Sequence, residues 1–213
     1  MRPPPFVLTA QFSELARAVY AGLRDGGLAP EATFDLACFL MDWAPASPVV
    51  QELAEQSVTG TDPARLAGLA GQVLAEYGFQ PDFDTEPRLL AALEDALEAV
   101  RADMRATGLT GPVGLSFEDD GTTYVRNVFA HFRGSYSYTS GVFPGDARDQ
   151  VNALVAVADD VQDAVMGVLM TAWPVCARHG LGAHPREHAG QAAWWCNGGG
   201  SGHVIALIGG WPG

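Results

Sequence analysis

Cysteine and histidine are crowded into one short window of the chain, between Cys176 and His203. Four of the five histidines and two of the three cysteines lie within these 28 residues, which are also rich in glycine. Thiolate and imidazole are the ligands that zinc prefers in proteins, so this crowding predicts a metal site with zinc as the metal. Such a site constrains the fold, because separate segments of the chain must meet at one ion.

Two pairs of residues in this window have the character of a four-ligand site. Cys176 and His179 are separated by two residues, which is the usual spacing of a knuckle turn. Cys196 and His203 form the second pair, and five of the six residues between them are Gly or Ser. The sequence therefore predicts a structural Zn²⁺ bound by these four side chains.

The pattern Trp-Pro-x-Cys-x-x-His, followed by Trp-Trp-Cys, resembles zinc-ribbon and treble-clef-like knuckle tails, in which two turns clamp one ion. More loosely, it resembles C-terminal tails of uncharacterised proteins from GC-rich bacteria. The resemblance covers residues 172–211 approximately; it implies metal binding and implies no activity. The six-residue spacing before His203 departs from that of common zinc fingers, so His184 and His188 are alternatives to it.

A second motif offers a different function. The segment His184-Pro185-Arg186-Glu187-His188 matches H-x-x-E-H, which resembles the inverted zinc-peptidase motif, with Glu187 as general base. That motif requires a long helix, which Pro185 and the nearby glycines disfavour, and no acidic residue follows Glu187 as a third ligand. We therefore expect this segment to be a surface loop, and a zinc-dependent hydrolase is the alternative function.

Apolar periodicity, proline starts and glycine stops predict an all-helical region over residues 1–110. Ser47-Pro48 and Asp62-Pro63 each look like an N-cap followed by proline in the first helical turn. Asp84 or Thr85 is the expected cap of the last helix, which should end before Gly108. We expect Cys38 to be a buried small hydrophobe on the second helix.

The pattern changes near residue 110, and residues 111–213 are predicted to form a ββ(β)α region followed by the metal-binding tail. The predicted elements are strands over 113–117, 122–132, 135–139 and 204–208, turns at 119–121 and 133–134, and a helix over 146–170. The fold class is α+β, with a helical N-terminal half and a small antiparallel sheet packed on a long helix.

For three groups of side chains in this region, we expect the arrangement that is most common for such residues. Asp159, Asp160 and Asp163 should form a solvated helix face. Tyr136 and Tyr138 should pack in the core, and an exposed patch suited to a protein partner is the alternative. Trp194 and Trp195 flank Cys196 and could shield the metal from water.

The charge of the chain restricts its partners. Twelve arginines, no lysines and 25 acidic residues give a net charge of −13. This charge would repel nucleic acids and anionic membranes, so neither is expected as a partner, whereas a basic protein would be attracted. Residues 1–112 hold 16 acids against seven arginines and are the expected contact surface.

These observations predict a non-enzymatic, zinc-stabilised binding or regulatory protein, of an immunity-like kind, that engages a basic protein partner. The segment 1–8 has one basic residue and then a proline run, unlike a signal peptide, and no run of eighteen apolar residues occurs. A cytoplasmic location is expected, where zinc thiolates are more common than disulfides.

Overall fold

The computed structural model describes residues 10–43, 47–117 and 126–213. These residues form six α-helices, one short 3-10 turn and two three-stranded antiparallel sheets. The predicted α+β class with a helical N-terminal half is confirmed. Contacts divide the chain into two compact units, Met1–Thr85 and Glu86–Gly213.

The first unit contains four helices, all within the predicted all-helical region. They are α1 (Ala10–Asp25), α2 (Pro30–Trp43), α3 (Pro48–Thr59) and α4 (Pro63–Glu76). Ser47 caps α3 by accepting from Val50 N, and Asp62 caps α4 by accepting from two backbone N–H groups. Both predicted N-caps are confirmed, because each places an oxygen where the first helical turn has unpaired donors.

The core of this unit is built from one apolar face of each helix. Its fully buried side chains include Phe12, Val19, Leu36, Leu40, Val50, Leu53 and Val73. Cys38 is only half-buried, so its predicted burial is wrong. It lies on α2 between Phe34 and Met41, which are both 38% exposed, and this edge of the helix does not enter the core.

Asp82 organises the segment after α4. Its carboxylate accepts a hydrogen bond from Thr85 Oγ1 at 2.8 Å and from Arg17 Nε at 2.8 Å. Burial raises the pKa of Asp82, but the bonds from Thr85 and the charge and bonds of Arg17 outweigh burial and hold the pKa below its usual value. The prediction that Thr85 or Asp84 caps the next helix is wrong, because Glu86 occupies the N-cap position.

The second unit pairs two long helices with the two sheets. Its elements are α5 (Pro87–Ala106), β1 (Val113–Phe117), β2 (Val128–Phe132), β3 (Ser135–Tyr136), a 3-10 turn (Asp146–Arg148), α6 (Gln150–Leu169), β4 (His184–His188), β5 (Gln191–Cys196) and β6 (His203–Leu207). The sheet orders are β1-β2-β3 and β4-β5-β6. Helix α6 packs against α5, β2 and β4, and thus contacts both sheets.

Several predicted boundaries in this unit change. Helix α6 begins at Gln150, because Asp149 caps it by accepting from Val151 N and Asn152 N. Strand β3 ends at Tyr136 instead of residue 139. The predicted turn at 119–121 lies outside the described residues. The predicted division at residue 110 marks the change from helices to strands in the sequence. Contacts between residues instead divide the chain before α5, so α5 belongs to the same unit as the sheets.

A buried carboxylate joins α6 to the first sheet. Asp160 is 2% exposed and accepts from the backbone N–H of Ala130 and from the hydroxyls of Ser137 and Thr139. The prediction of a solvated aspartate face is therefore wrong for Asp160. Three hydrogen-bond donors replace the water that would surround this carboxyl group at the surface.

Tyr136 and Tyr138 do not pack in the core, contrary to prediction. Tyr136 is 39% exposed and Tyr138 is 86% exposed. The chain leaves the strand after Tyr136, and Tyr138 N donates to Asp163, which orients the Tyr138 ring over Gly167 on the outside of α6.

None of the helices in the described residues is both long enough and apolar enough to cross a membrane.

We predict that Asp160→Asn lowers the free energy of unfolding by about 2–3 kcal/mol, because charge-assisted hydrogen bonds are lost in a buried site. The neighbouring Asp159→Asn is the matched control, since Asp159 is exposed. Chemical denaturation of the two variants measures the difference. Equal stability of both variants would contradict the role assigned to Asp160.

Candidate metal centre

The first pair of candidate ligands lies in a tight turn between α6 and β4. Gly180 N donates to Cys176 O at 2.8 Å, and Cys176 N donates to Leu181 O at 2.8 Å. Gly180 has a φ of 65°, which glycine adopts without strain and which reverses the chain after His179. This turn directs the side chains of Cys176 and His179 to the same side, as the two-residue spacing predicts.

The second pair is placed by a β-hairpin. Cys196 is the last residue of β5 and His203 is the first residue of β6, and the two are directly opposite in the antiparallel register. The six-residue spacing is therefore compatible with one site, because strand pairing and not loop length brings the residues together. Cβ atoms of opposed residues lie about 4.5–5.5 Å apart, within the span of two ligands of one ion.

The four side chains meet at one point. Cys176 Sγ lies 3.7 Å from His179 Nδ1 and 3.7 Å from His203 Nε2, and Cys196 Sγ lies 3.3 Å from His179 Nδ1. One ligand atom from each residue lies within 4.8 Å of all the others. A tetrahedral ion with bonds of about 2.0–2.3 Å has ligand-to-ligand edges of about 3.3–3.8 Å. The group can therefore hold a metal ion with all four residues as ligands.

The sulfurs lie deeper than the imidazoles. Cys176 and Cys196 are 2% and 0% exposed, and the two histidines are half-buried. Burial raises the pKa of the Cys176 thiol, but backbone N–H groups of His179 and Arg178, a hydrogen bond with Cys196 and the charge of Arg178 outweigh burial and hold the pKa below its usual value. The thiolate, which is the metal-binding form, is favoured by these donors.

The loop between Cys196 and His203 is shaped to fit the ligands. Gly198 N donates to Cys196 Sγ at 3.3 Å. A Cβ atom on Gly198 would lie 2.5 Å from the His179 ring, and one on Gly202 would lie 2.5 Å from Trp195. Glycine at these two positions lets the backbone approach both rings.

The two adjacent tryptophans have different roles. Trp194 is fully buried and packs edge-on against Trp173 and Trp211, with ring centroids 5.6 and 6.2 Å away. Trp195 is half-buried, donates to Asn197 Oδ1 at 3.0 Å and covers the glycine loop. Trp195 is the tryptophan that lies beside the loop joining the second ligand pair.

Two buried polar residues on the helices hold the segments that carry the ligands. Asp103 on α5 is 0% exposed and accepts from Trp194 Nε1, Gly209 N and Trp211 N at 2.7–2.8 Å. It fixes β5 and the chain after β6 to α5. Three N–H donors compensate for the loss of water around its charge.

Gln162 on α6 makes the corresponding connection to the first ligand pair. Its Nε2 donates to Trp173 O at 2.7 Å and to Ala183 O at 2.6 Å, one on each side of the Cys176 turn. Sequence reasoning did not identify Asp103 or Gln162. The sequence feature that indicates them is a polar residue at the helical spacing of buried apolar residues. Asp103 follows Val100 by three residues, and Gln162 precedes Val165 by three.

The alternative ligands lie elsewhere. His184 and His188 are exposed at the two ends of β4, and neither belongs to the group of four. His188 packs against Trp195 with ring centroids 5.2 Å apart. The expectation of a surface loop is wrong, because residues 184–188 pair with β5 over their full length. Glu187 accepts from Gly190 N at 3.0 Å in the turn that follows.

Comparison of the chain with protein-family models, with curated proteins and with solved structures finds no match in any of the three.

We predict one tightly bound metal ion per chain, lost in Cys196→Ser and retained in Cys38→Ser. Cys38 is the matched control, because it is the one cysteine of the sequence outside the group of four. Elemental analysis of untagged protein after dialysis gives the stoichiometry. The ligand assignment would be overturned if Cys196→Ser kept its metal. It would also be overturned if His188→Gln lost the metal while His203→Gln retained it.

We predict that Gly198→Ala weakens metal binding about tenfold or more, because the added methyl group would overlap the His179 ring. Ser201→Ala, an exposed position in the same loop, should leave affinity unchanged. Competition titration against a chromophoric chelator measures both affinities. Unchanged affinity in Gly198→Ala would show that the loop does not constrain His179.

Proposed function

We propose that this chain is a non-enzymatic, zinc-stabilised binding protein of the cytoplasm that engages a basic protein partner, as an immunity-like or regulatory protein does. The observation that carries the proposal is the group of four ligand atoms within 4.8 Å, contributed by Cys176, His179, Cys196 and His203. Four protein ligands complete a tetrahedral zinc site and leave no position for a catalytic water.

The donor set supports zinc over other divalent ions. Two sulfurs and two imidazole nitrogens with tetrahedral spacing suit Zn²⁺, whereas Mg²⁺ and Ca²⁺ prefer carboxylate and carbonyl oxygens. The ion would tie the turn after α6 to the β5–β6 hairpin. Because the ligands come from both segments, the free energy of zinc binding would add to the stability of this part of the fold.

The cytoplasmic assignment is supported by the cysteines. All three are free thiols, and two of them lie beside imidazole nitrogens instead of being paired in a disulfide. A reducing compartment preserves thiolate ligands of this kind.

The contact surface for the partner is assigned to the exposed side of α2. This helix has three acidic residues, Glu31, Asp35 and Asp42, and no basic residue. All three acids are exposed, and the neighbouring Phe34 and Met41 are each 38% exposed. An apolar centre with charged residues around it is the usual composition of a protein interface.

Charge complementarity makes a basic protein the occupant of this surface. Residues 1–85 hold 11 acids and four arginines. Acidic residues that surround an exposed apolar patch would accelerate the encounter with a cationic partner, and salt would slow that encounter. The apolar side chains Phe34 and Met41 would supply the short-range contact.

Site-specific photocrosslinking in the native host tests this proposal. A benzophenone amino acid at position 34 should capture one basic protein, while the same group at the exposed position 18 on α1 should not. Asp35→Asn should then slow association with the purified partner several-fold at low salt, and Glu14→Gln on α1 is the matched control.

Either of two results would overturn the proposal. One is capture of an acidic protein, or of no protein, at position 34. The other is an association rate that is independent of salt and unaffected by Asp35→Asn. The zinc content of the protein is measured in a separate experiment. That measurement tests the metal assignment independently of the partner assignment.

A further inference from the structure

A cavity of about 440 Å³ lies beside the last turn of α5, where the chain continues towards β1. Met104, Leu109, Pro112 and Val113 give it an apolar lining. None of its lining residues is acidic, although acids outnumber arginines by 25 to 12 in the chain. The lining of the cavity is therefore apolar and free of acidic residues, whereas the chain as a whole is acidic.

Two arginines line this cavity, and a third lies next to it. Arg101 and Arg105 line it from successive turns of α5. Arg133, from the turn between β2 and β3, lies against the lining residue Gly111, since a Cβ atom on Gly111 would be 2.7 Å from Arg133 Nε. A quarter of the arginines of the chain are thus placed around one cavity. Charges of one sign around a concave surface concentrate the field inside it.

The carbonyl groups at the rim are already paired. Arg101 Nη2 donates to Val113 O at 2.7 Å, and Arg133 Nη2 donates to Thr110 O at 2.6 Å. Arg133 N donates to Pro112 O at 2.9 Å. These bonds fix the positions of Arg101 and Arg133 beside the cavity.

Among the described residues, Arg105 has no guanidinium hydrogen bond to another protein group, whereas Arg101 and Arg133 each donate to a carbonyl oxygen. Arg101 pairs with Glu98, but among the described residues no carboxylate lies within ion-pair distance of Arg105. Its guanidinium has five N–H donors in a fork that matches a carboxylate. The cavity therefore combines an available bidentate donor with an apolar surface a few atoms away.

We propose that this cavity binds a small organic acid, with the carboxylate on Arg105 and an apolar body against Leu109 and Pro112. The positive charge of Arg133 would strengthen the contact, and burial of the apolar body would favour ligands larger than acetate. This site is independent of the metal centre and of the surface on α2.

Calorimetric titration of the full chain with 4-phenylbutyrate tests the site, with the amide 4-phenylbutanamide as the uncharged probe of the same shape. The acid should bind saturably, and the amide should bind at least tenfold more weakly. Arg105→Gln should weaken binding of the acid about tenfold or more, and Arg133→Gln should weaken it less. Arg88→Gln is the control on the same helix, because Arg88 pairs with Glu86 and does not line the cavity.

Three results would overturn the proposal. They are the absence of saturable binding of the acid, equal binding of acid and amide, and equal affinity in the Arg105→Gln and Arg88→Gln variants. The melting temperature of each variant shows whether it is folded. If Arg105→Gln is unfolded, the acid-to-amide ratio in the unaltered chain still decides the question.

Discussion

The arrangement of two sulfurs and two imidazole nitrogens around one point is the constraint on which the C-terminal region depends. These atoms come from a turn after α6 and from the two ends of a hairpin loop, so neither segment can move alone without separating them. The neighbouring interior is organised to keep them in place. Gln162 fixes both sides of the turn, and Asp103 fixes β5 and the chain beyond β6. Two helices thus provide rigid support for ligands that lie in a turn and at the ends of two strands.

Buried polar side chains are used repeatedly in this protein to connect layers. Asp103, Asp160 and Gln162 all lie on the inner faces of α5 and α6, and each bonds to more than one other segment. Apolar packing alone has little directional preference, whereas a carboxylate with three donors accepts one arrangement of its partners. These residues therefore specify how the sheets lie against the helices.

The sequence predicted features that depend on local chemistry. Proline starts, Ser47 and Asp62 caps and glycine stops located the helices, because these residues act within one helical turn. The ligand group was found because zinc chemistry restricts the residue types. Features that depend on distant partners were missed. The sequence predicts a solvated Asp160 and a packed Tyr138, because it does not show that the segment after β3 crosses α6. That segment provides the hydroxyl donors to Asp160 and leaves Tyr138 exposed. Thr85 is a local exception, because its hydroxyl bonds to Asp82 three residues before it instead of capping the helix that follows.

The pairing of Cys196 with His203 across the ends of two strands has a consequence for finding related chains. In a knuckle such as the one at Cys176 and His179, insertion of a single residue would redirect a ligand. In the hairpin, the number of residues between the ligands can change while the strand register still brings them together. A search pattern with a fixed gap between the second cysteine and the last histidine would therefore exclude chains that carry the same centre. A pattern anchored on the alternating residues of β5 and β6, with a gap of variable length, would retain them.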